Sequence, residues 1–410
     1  MLDYHIHTLP NGIRIVHKQV LHTKIAHSGF ILDIGSRDEL PDQLGLAHFW
    51  EHMAFKGTAK RKSFHILNRL ESVGGELNAY TTKEKLCFYS SVLDKHFDKS
   101  FELLTDITFH SVFPEKEIEK ERGVILEEMS MYLDTPEEAI VDEFDSVIYD
   151  QHPLGNNILG TKESVSGFKK QDFQRFIHNN LSTEGLVFCS VSNLPFEKVL
   201  KLAEKYLAEI PTISKPRERA PFSNYLPKTV TIEKPISQAH CVLGCPAYAL
   251  NDDRRIPFFM LVNLLGGPGM NSRLNLAVRE KHGLVYTIDA NYATYIDTGL
   301  LSIYFGTEKK QLKRTTALVL KELKKLREKQ LGSLQLHTAK EQLMGQLAMA
   351  EESNMGLMMM MGKSILDQGH IDTLNEIFDQ IKRTTAQDLL DIANDVLREE
   401  QLSFLNYVPS

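Results

Sequence analysis

Hydrophobic and polar positions along this chain of 410 residues follow two periods, and the periods change in blocks. The runs GIRIVHKQV (residues 12–20) and IAHSGFILDIG (residues 25–35) are rich in β-formers and predict strands. Helical spacing then sets in over residues 44–55 and 63–72. ELNAYTTKEKLCFYSSVL (residues 76–93) returns to strand character and predicts a strand pair or one long strand. Helices are expected again over residues 96–110 and 114–133. Strands grouped early and long helices later predict an α+β fold, a mainly antiparallel sheet with helices packed on one face.

The pattern repeats. QDFQRFIHNNLSTEGLVFCSV begins at Gln171 and QDLLDIANDVLREEQLSFLNYV at Gln387, an offset of 216 residues. AHSGFILDIGSRDE begins at Ala26 and AHCVLGCPAYALND at Ala239, an offset of 213. Two echoes at similar offsets argue for a duplicated domain. Between the halves, EIPTISKPRERAPFSNYLPK (residues 209–228) carries Pro211, Pro216, Pro221 and Pro227, a density that breaks regular structure and reads as a linker. The expected organisation is therefore residues 1–208, a linker over 209–228, and a related domain over 229–410.

Composition narrows the function classes. A net charge of −7, from 47 basic and 54 acidic residues, gives no footprint for nucleic acid. No apolar run is long enough to span a membrane, so no membrane partner is expected. The start, MLDYHIHTLPNGIRIV, lacks a basic segment followed by an apolar core and does not read as a signal peptide. Four cysteines do not make a disulfide framework, which favours a reducing, cytoplasmic setting. Cys241 and Cys245 beside His240 (HCVLGC) read as a buried strand rather than a metal site. NMGLMMMMGK (residues 354–363) reads as core packing, and the basic segment at residues 309–329 as a solvated amphipathic helix. NLLGGPGMNS lacks the Lys-Ser/Thr of a phosphate loop.

The candidate chemistry sits in HFWEHMAFKGT, residues 48–58. On a helix His48 and His52 are about 400° apart and share a face, so one metal ion can bind both. Glu51, about 300° from His48, borders that face and is placed to take a proton from a metal-activated water. The order H-x-x-E-H inverts the usual metalloprotease H-E-x-x-H. A catalytic zinc needs a third protein ligand, and PEKEIEKERGVILEEMSMYLDTPEE supplies candidates. Pro114 can open this helix; Glu121 and Glu128 lie two turns apart on one face, with Glu127 about 100° away from Glu128. From the residues alone these acids could equally coat a solvated helix.

HFWEHMAFKGT, GGELNAYTTKE and ERGVILEEM together resemble the M16 metallopeptidases, the inverzincins, which include pitrilysin and the mitochondrial processing peptidase. The wording and length look most like the short two-domain, processing-peptidase-like group. The resemblance implies a zinc endopeptidase acting on unfolded or presequence-like peptides, with one Zn²⁺ per chain on His48, His52 and Glu128. It implies that Glu51 activates water and that Glu121 orients the ligands. LLGGPGMNSRLNLAVREKHGLVYTI resembles the family's second-domain segment, so Arg279 and Tyr286 are expected to hold substrate and stabilise charge on the carbonyl under attack. Asn78 and Ala79, in the strand-like GGELNAYTT, are expected to lie beside the zinc and contact the peptide main chain. The second half keeps no zinc motif: Leu265 falls near the position of His52.

The resemblance further implies a clamshell pair of chains around a closed chamber, here a homodimer, although a heterodimer with a related subunit remains open. The rival reading is a non-catalytic scaffold or partner subunit. Such family members typically lose motif residues, whereas both histidines, both key glutamates and the Arg/Tyr pair stand in this chain.

Overall fold

A computed structural model describes residues 4–410, which divide into two compact units. The first comprises residues 4–129, 156–219 and 350–371, and the second residues 130–155, 220–349 and 372–410.

The first unit is built on six strands: β1 (His5–Thr8), β2 (Arg14–Gln19), β3 (Ile25–Leu32), β4 (Glu76–Thr81), β5 (Leu86–Leu93) and β6 (Leu186–Ser192). Their order is β1-β2-β6-β3-β5-β4, with only β2 and β6 parallel. The segment 76–93 is thus a strand pair, turned at Thr82–Lys85, and β4 is left at the edge. Successive side chains leave a strand on opposite faces. Phe30, Phe88 and Phe188 point to one face and meet Phe101, Trp50 and their neighbours. These rings come from helices α1 (Leu46–Met53) and α3 (Phe97–Phe109), which with α2 (Ser63–Glu71) belong to the main helical layer. Each such buried ring contributes roughly 1.5–3 kcal/mol. Ile31, Cys87, Val187 and Cys189 point the other way, onto one further helix, Asn354–Gln368. Its Met358 and Met361 are buried there, while Met360 on the outer side is exposed, so the methionine-rich segment is core on one face only. Gly362 permits the contact, because a Cβ would stand 2.3 Å from Ile31 Cδ1.

The second unit has five strands: β7 (Thr229–Lys234), β8 (Ala239–Ala247), β9 (Val285–Thr294), β10 (Gly299–Thr307) and β11 (Ser403–Pro409). The order β7-β11-β8-β10-β9 repeats β2-β6-β3-β5-β4, including the single parallel pair. The duplication read from offsets is therefore a duplication of topology. Helices Arg255–Gly266, Leu312–Glu328 and Ala386–Val396 cover one face around Cys241, Leu243 and Ile303. The helix Pro136–Ile148 covers the other, over Val242, Leu405 and Tyr407.

The expected boundaries need correction. Residues 130–155 belong with the second sheet and residues 350–371 with the first, so neither unit is a continuous half. The cause is burial: each sheet has two apolar faces, and its second face is closed by a helix that lies in the other half of the sequence. Residues 211–228 carry no regular structure, as the prolines require. Arg217 and Arg219, inside the expected linker, are paired with Asp33 and Asp38 of the first unit.

Candidate metal centre

Helix α1 is short and its position is fixed at its start. Gly45 takes φ +91°, and a Cβ there would meet the Leu159 carbonyl at 2.4 Å, so glycine is required. The N–H groups of Gly45 and Ala47 donate to the buried Glu39 carboxylate at 2.8 and 2.7 Å, satisfying amides that a helix start leaves free. Leu46, Ala47, Phe49, Trp50 and Met53 are buried in the core. The face that remains carries His48, Glu51 and His52. Across from it runs α4 (Glu115–Leu133), which buries Ile118, Glu121, Ile125 and Met129 at helical spacing.

The two elements bring His48, His52 and Glu128 together, with their ligand atoms within 4.8 Å of one another. Among the described residues this is the one such group of three or more. Glu128 Oε2 lies 3.8 Å from His48 Nε2 and 3.5 Å from His52 Nε2. Donors about 2.0–2.1 Å from a tetrahedral zinc stand roughly 3.3 Å apart, so two imidazoles and a carboxylate at these separations fit that ion. Glu127 is exposed while Glu128, the expected ligand, is half-buried. Glu51 stays outside the triad, and its Oε2 accepts a hydrogen bond from Thr81 Oγ1 at 2.5 Å. Glu121 Oε2 lies 3.2 Å from His52 Nδ1, and its Oε1 lies 2.6 Å from Lys56 Nζ.

Charge is distributed unevenly over the pair of histidines. Burial, reinforced by His52, pushes His48 down to about 4. Burial acts the same way on His52, but hydrogen bonds to Glu121 and Glu128 override it and carry that imidazole up to about 9. Burial raises the Glu51 carboxyl above its ordinary value, against the Thr81 hydrogen bond.

Asn78 and Ala79 lie on β4, which packs against α1 and whose outer edge has no partner strand among the described residues. The Ala79 N–H is donated to Asn78 Oδ1 at 2.9 Å rather than to β5, so it faces that edge. Arg279 and Tyr286 lie in the second unit and are brought together, the guanidinium 5.9 Å from the ring centroid. Arg279 sits in Asn275–Glu280, a wide π-helical turn of the kind often found at functional sites, and Tyr286 is 85% exposed at the start of the edge strand β9. The HCVLGC stretch is core, as expected: His240 pairs with Tyr304, and Cys245 with the Val396 carbonyl. All four cysteines are free and buried. Sequence reasoning missed Thr81 and Lys56. Both lie inside the quoted motifs, but only the third dimension shows which carboxylate each reaches.

These features, a duplicated α+β sheet unit with an inverted H-x-x-E-H helix facing a carboxylate helix, define a metallopeptidase architecture. Comparison with known proteins agrees. The family model described as Insulinase (Peptidase family M16) matches residues 14–162, and that of the Peptidase M16 inactive domain matches residues 167–343. The uncharacterized zinc protease YmxG of Bacillus subtilis (strain 168) is 32% identical, over 96% of both chains. An uncharacterized zinc protease of Rickettsia felis is also 32% identical, over 96% of this chain and 95% of its own. The fold matches the crystal structure of a peptidase M16 inactive domain from Pseudomonas fluorescens with a TM-score of 0.92 at 18% identity, over 100% of this chain and 99% of that one. A protease from Helicobacter pylori superposes with a TM-score of 0.90 at 21% identity, over 99% of both chains. The chain belongs to peptidase family M16. Among the described residues, no helix is long and apolar enough to cross a membrane.

Proposed function

We propose that this protein is a zinc-dependent endopeptidase that cleaves unfolded or presequence-like peptides, with one Zn²⁺ per chain held by His48, His52 and Glu128. The observation that carries the reading is the donor triad itself, closed by Glu128 across two helices, with Glu51 beside it and outside it. A bound zinc supplies Lewis acidity, polarising a carbonyl and making water a nucleophile near neutral pH. Glu51 takes the proton of the attacking water and delivers it to the departing amine; its raised pKa suits both tasks. Thr81 fixes the carboxylate by its hydrogen bond. Glu121 holds the His52 ring from behind. The peptide adds to the open edge of β4 as an extra strand, pairing with the backbone around Ala79 while Asn78 releases that N–H. Arg279 and Tyr286 hold substrate and meet the charge developing on the carbonyl. They act in a pair of chains, most simply a homodimer, each presenting the two residues to its partner's zinc site.

Glu51→Gln separates the chemistry from the metal. Zinc content should stay at one per chain, while hydrolysis of an unstructured peptide falls by about 10²–10⁴-fold. Substantial turnover at full zinc would remove Glu51 from the mechanism.

A further inference from the structure

We infer that Lys56 is a positioning residue of the metal centre, holding one oxygen of Glu121 so that the other stays on His52 Nδ1. The inference rests on the zinc reading above and deepens it.

Lys56 lies just beyond α1, after Ala54 and Phe55, and the chain after it is stitched to the segment that leads into α4. Thr58 bridges Ser111, Val112 N–H donates to the Gly57 carbonyl, and Ala59 N–H donates to the His110 carbonyl. Thr58 Oγ1 also donates to Asp106. This seam fixes Lys56 against the helix that carries Glu121, and the ammonium reaches Oε1 at 2.6 Å. The Glu121 side chain is 9% exposed, so its two oxygens are divided between two partners rather than solvated. A carboxylate only accepts, which makes His52 Nδ1 the donor and leaves Nε2 to face Glu128 and His48.

His48 differs: among the described residues, no side chain or backbone group hydrogen-bonds its buried Nδ1. Orientation from behind the donor triad therefore enters through His52, by way of Glu121. Without the ammonium, a nearly buried carboxylate would lose one of its two partners and could turn away from Nδ1 or into the triad. A neutral side chain at position 56 also removes a charge that repels a metal ion, so weaker binding in the variants would report lost orientation and not lost charge. Outer hydrogen-bond partners of a ligating histidine typically matter 10–100-fold for metal affinity.

The test measures zinc affinity of metal-free protein by competition with a chromophoric chelator, and the visible spectrum of the Co²⁺ form as a report on donor geometry. Lys56→Met and Lys56→Gln should each bind zinc at least about 10-fold more weakly and shift the Co²⁺ band, while Lys56→Arg stays near wild type. In a Glu121→Gln background, Lys56→Met should cost nothing further. Wild-type affinity in both neutral variants would overturn the inference, as would a full additional loss on top of Glu121→Gln. Wild-type protein that takes up no zinc would instead overturn the zinc reading.

Discussion

Glu128 and Glu127 are adjacent and chemically identical, yet one faces two imidazoles and the other faces solvent. The difference is the helical rotation of about 100° per residue, fixed by Ile118, Glu121, Ile125 and Met129 packing inward. Glu128→Gln should accordingly lower zinc affinity by about 100-fold or more, since a neutral amide replaces a charged ligand, whereas Glu127→Gln should leave it unchanged. Metal analysis of the two variants after identical dialysis decides the matter; the reverse pattern would reassign the third ligand. At this scale the sequence was informative, because spacing on a helix determines which side chains share a face. It was silent about Thr81 and Lys56, whose partners are 30 and 65 residues away along the chain.

The edge strand β4 gives the element scale its own test. Proline is tolerated on an edge strand where the missing N–H points away from the ladder, and Ala79 is such a position. Ala79→Pro should keep zinc and the fold but remove an outward donor, raising KM for extended peptides up to about 10-fold with a smaller change in kcat. Unaltered KM in steady-state assays would argue that substrate does not pair there. Element types were legible almost throughout. The helix expected over 44–55 is α1 at Leu46–Met53, and that over 114–133 is α4 at Glu115–Leu133. Strand periodicity could not decide whether residues 76–93 made one strand or two, because the intervening Thr-Lys-Glu-Lys carries neither Gly nor Pro. Nor could it assign α5 (Pro136–Ile148) to the second sheet, since amphipathicity shows that a helix has an apolar face but not which sheet receives it.

For the whole molecule, the proposed pairing of chains has a direct test. Glu51→Gln and Arg279→Ala are each expected to be inactive alone. Mixed and allowed to exchange, with exchange verified by tagged pull-down, they should recover about a quarter of wild-type activity: half the dimers are mixed, and one site in each is whole. No recovery despite exchange would mean that Arg279 serves the zinc of its own chain. The exchanged helices carry a separate consequence. The proline-rich stretch at residues 209–228 invites the protein to be cut there into two expressible pieces. An N-terminal fragment ending at Arg219 would keep its six strands but forfeit residues 350–371, laying bare Ile31, Cys87, Val187 and Cys189. Its C-terminal counterpart would lack residues 130–155 and expose Val242, Leu405 and Tyr407. Each piece would carry one uncovered apolar sheet face, so neither half is expected to fold by itself although the chain reads as two copies of one topology.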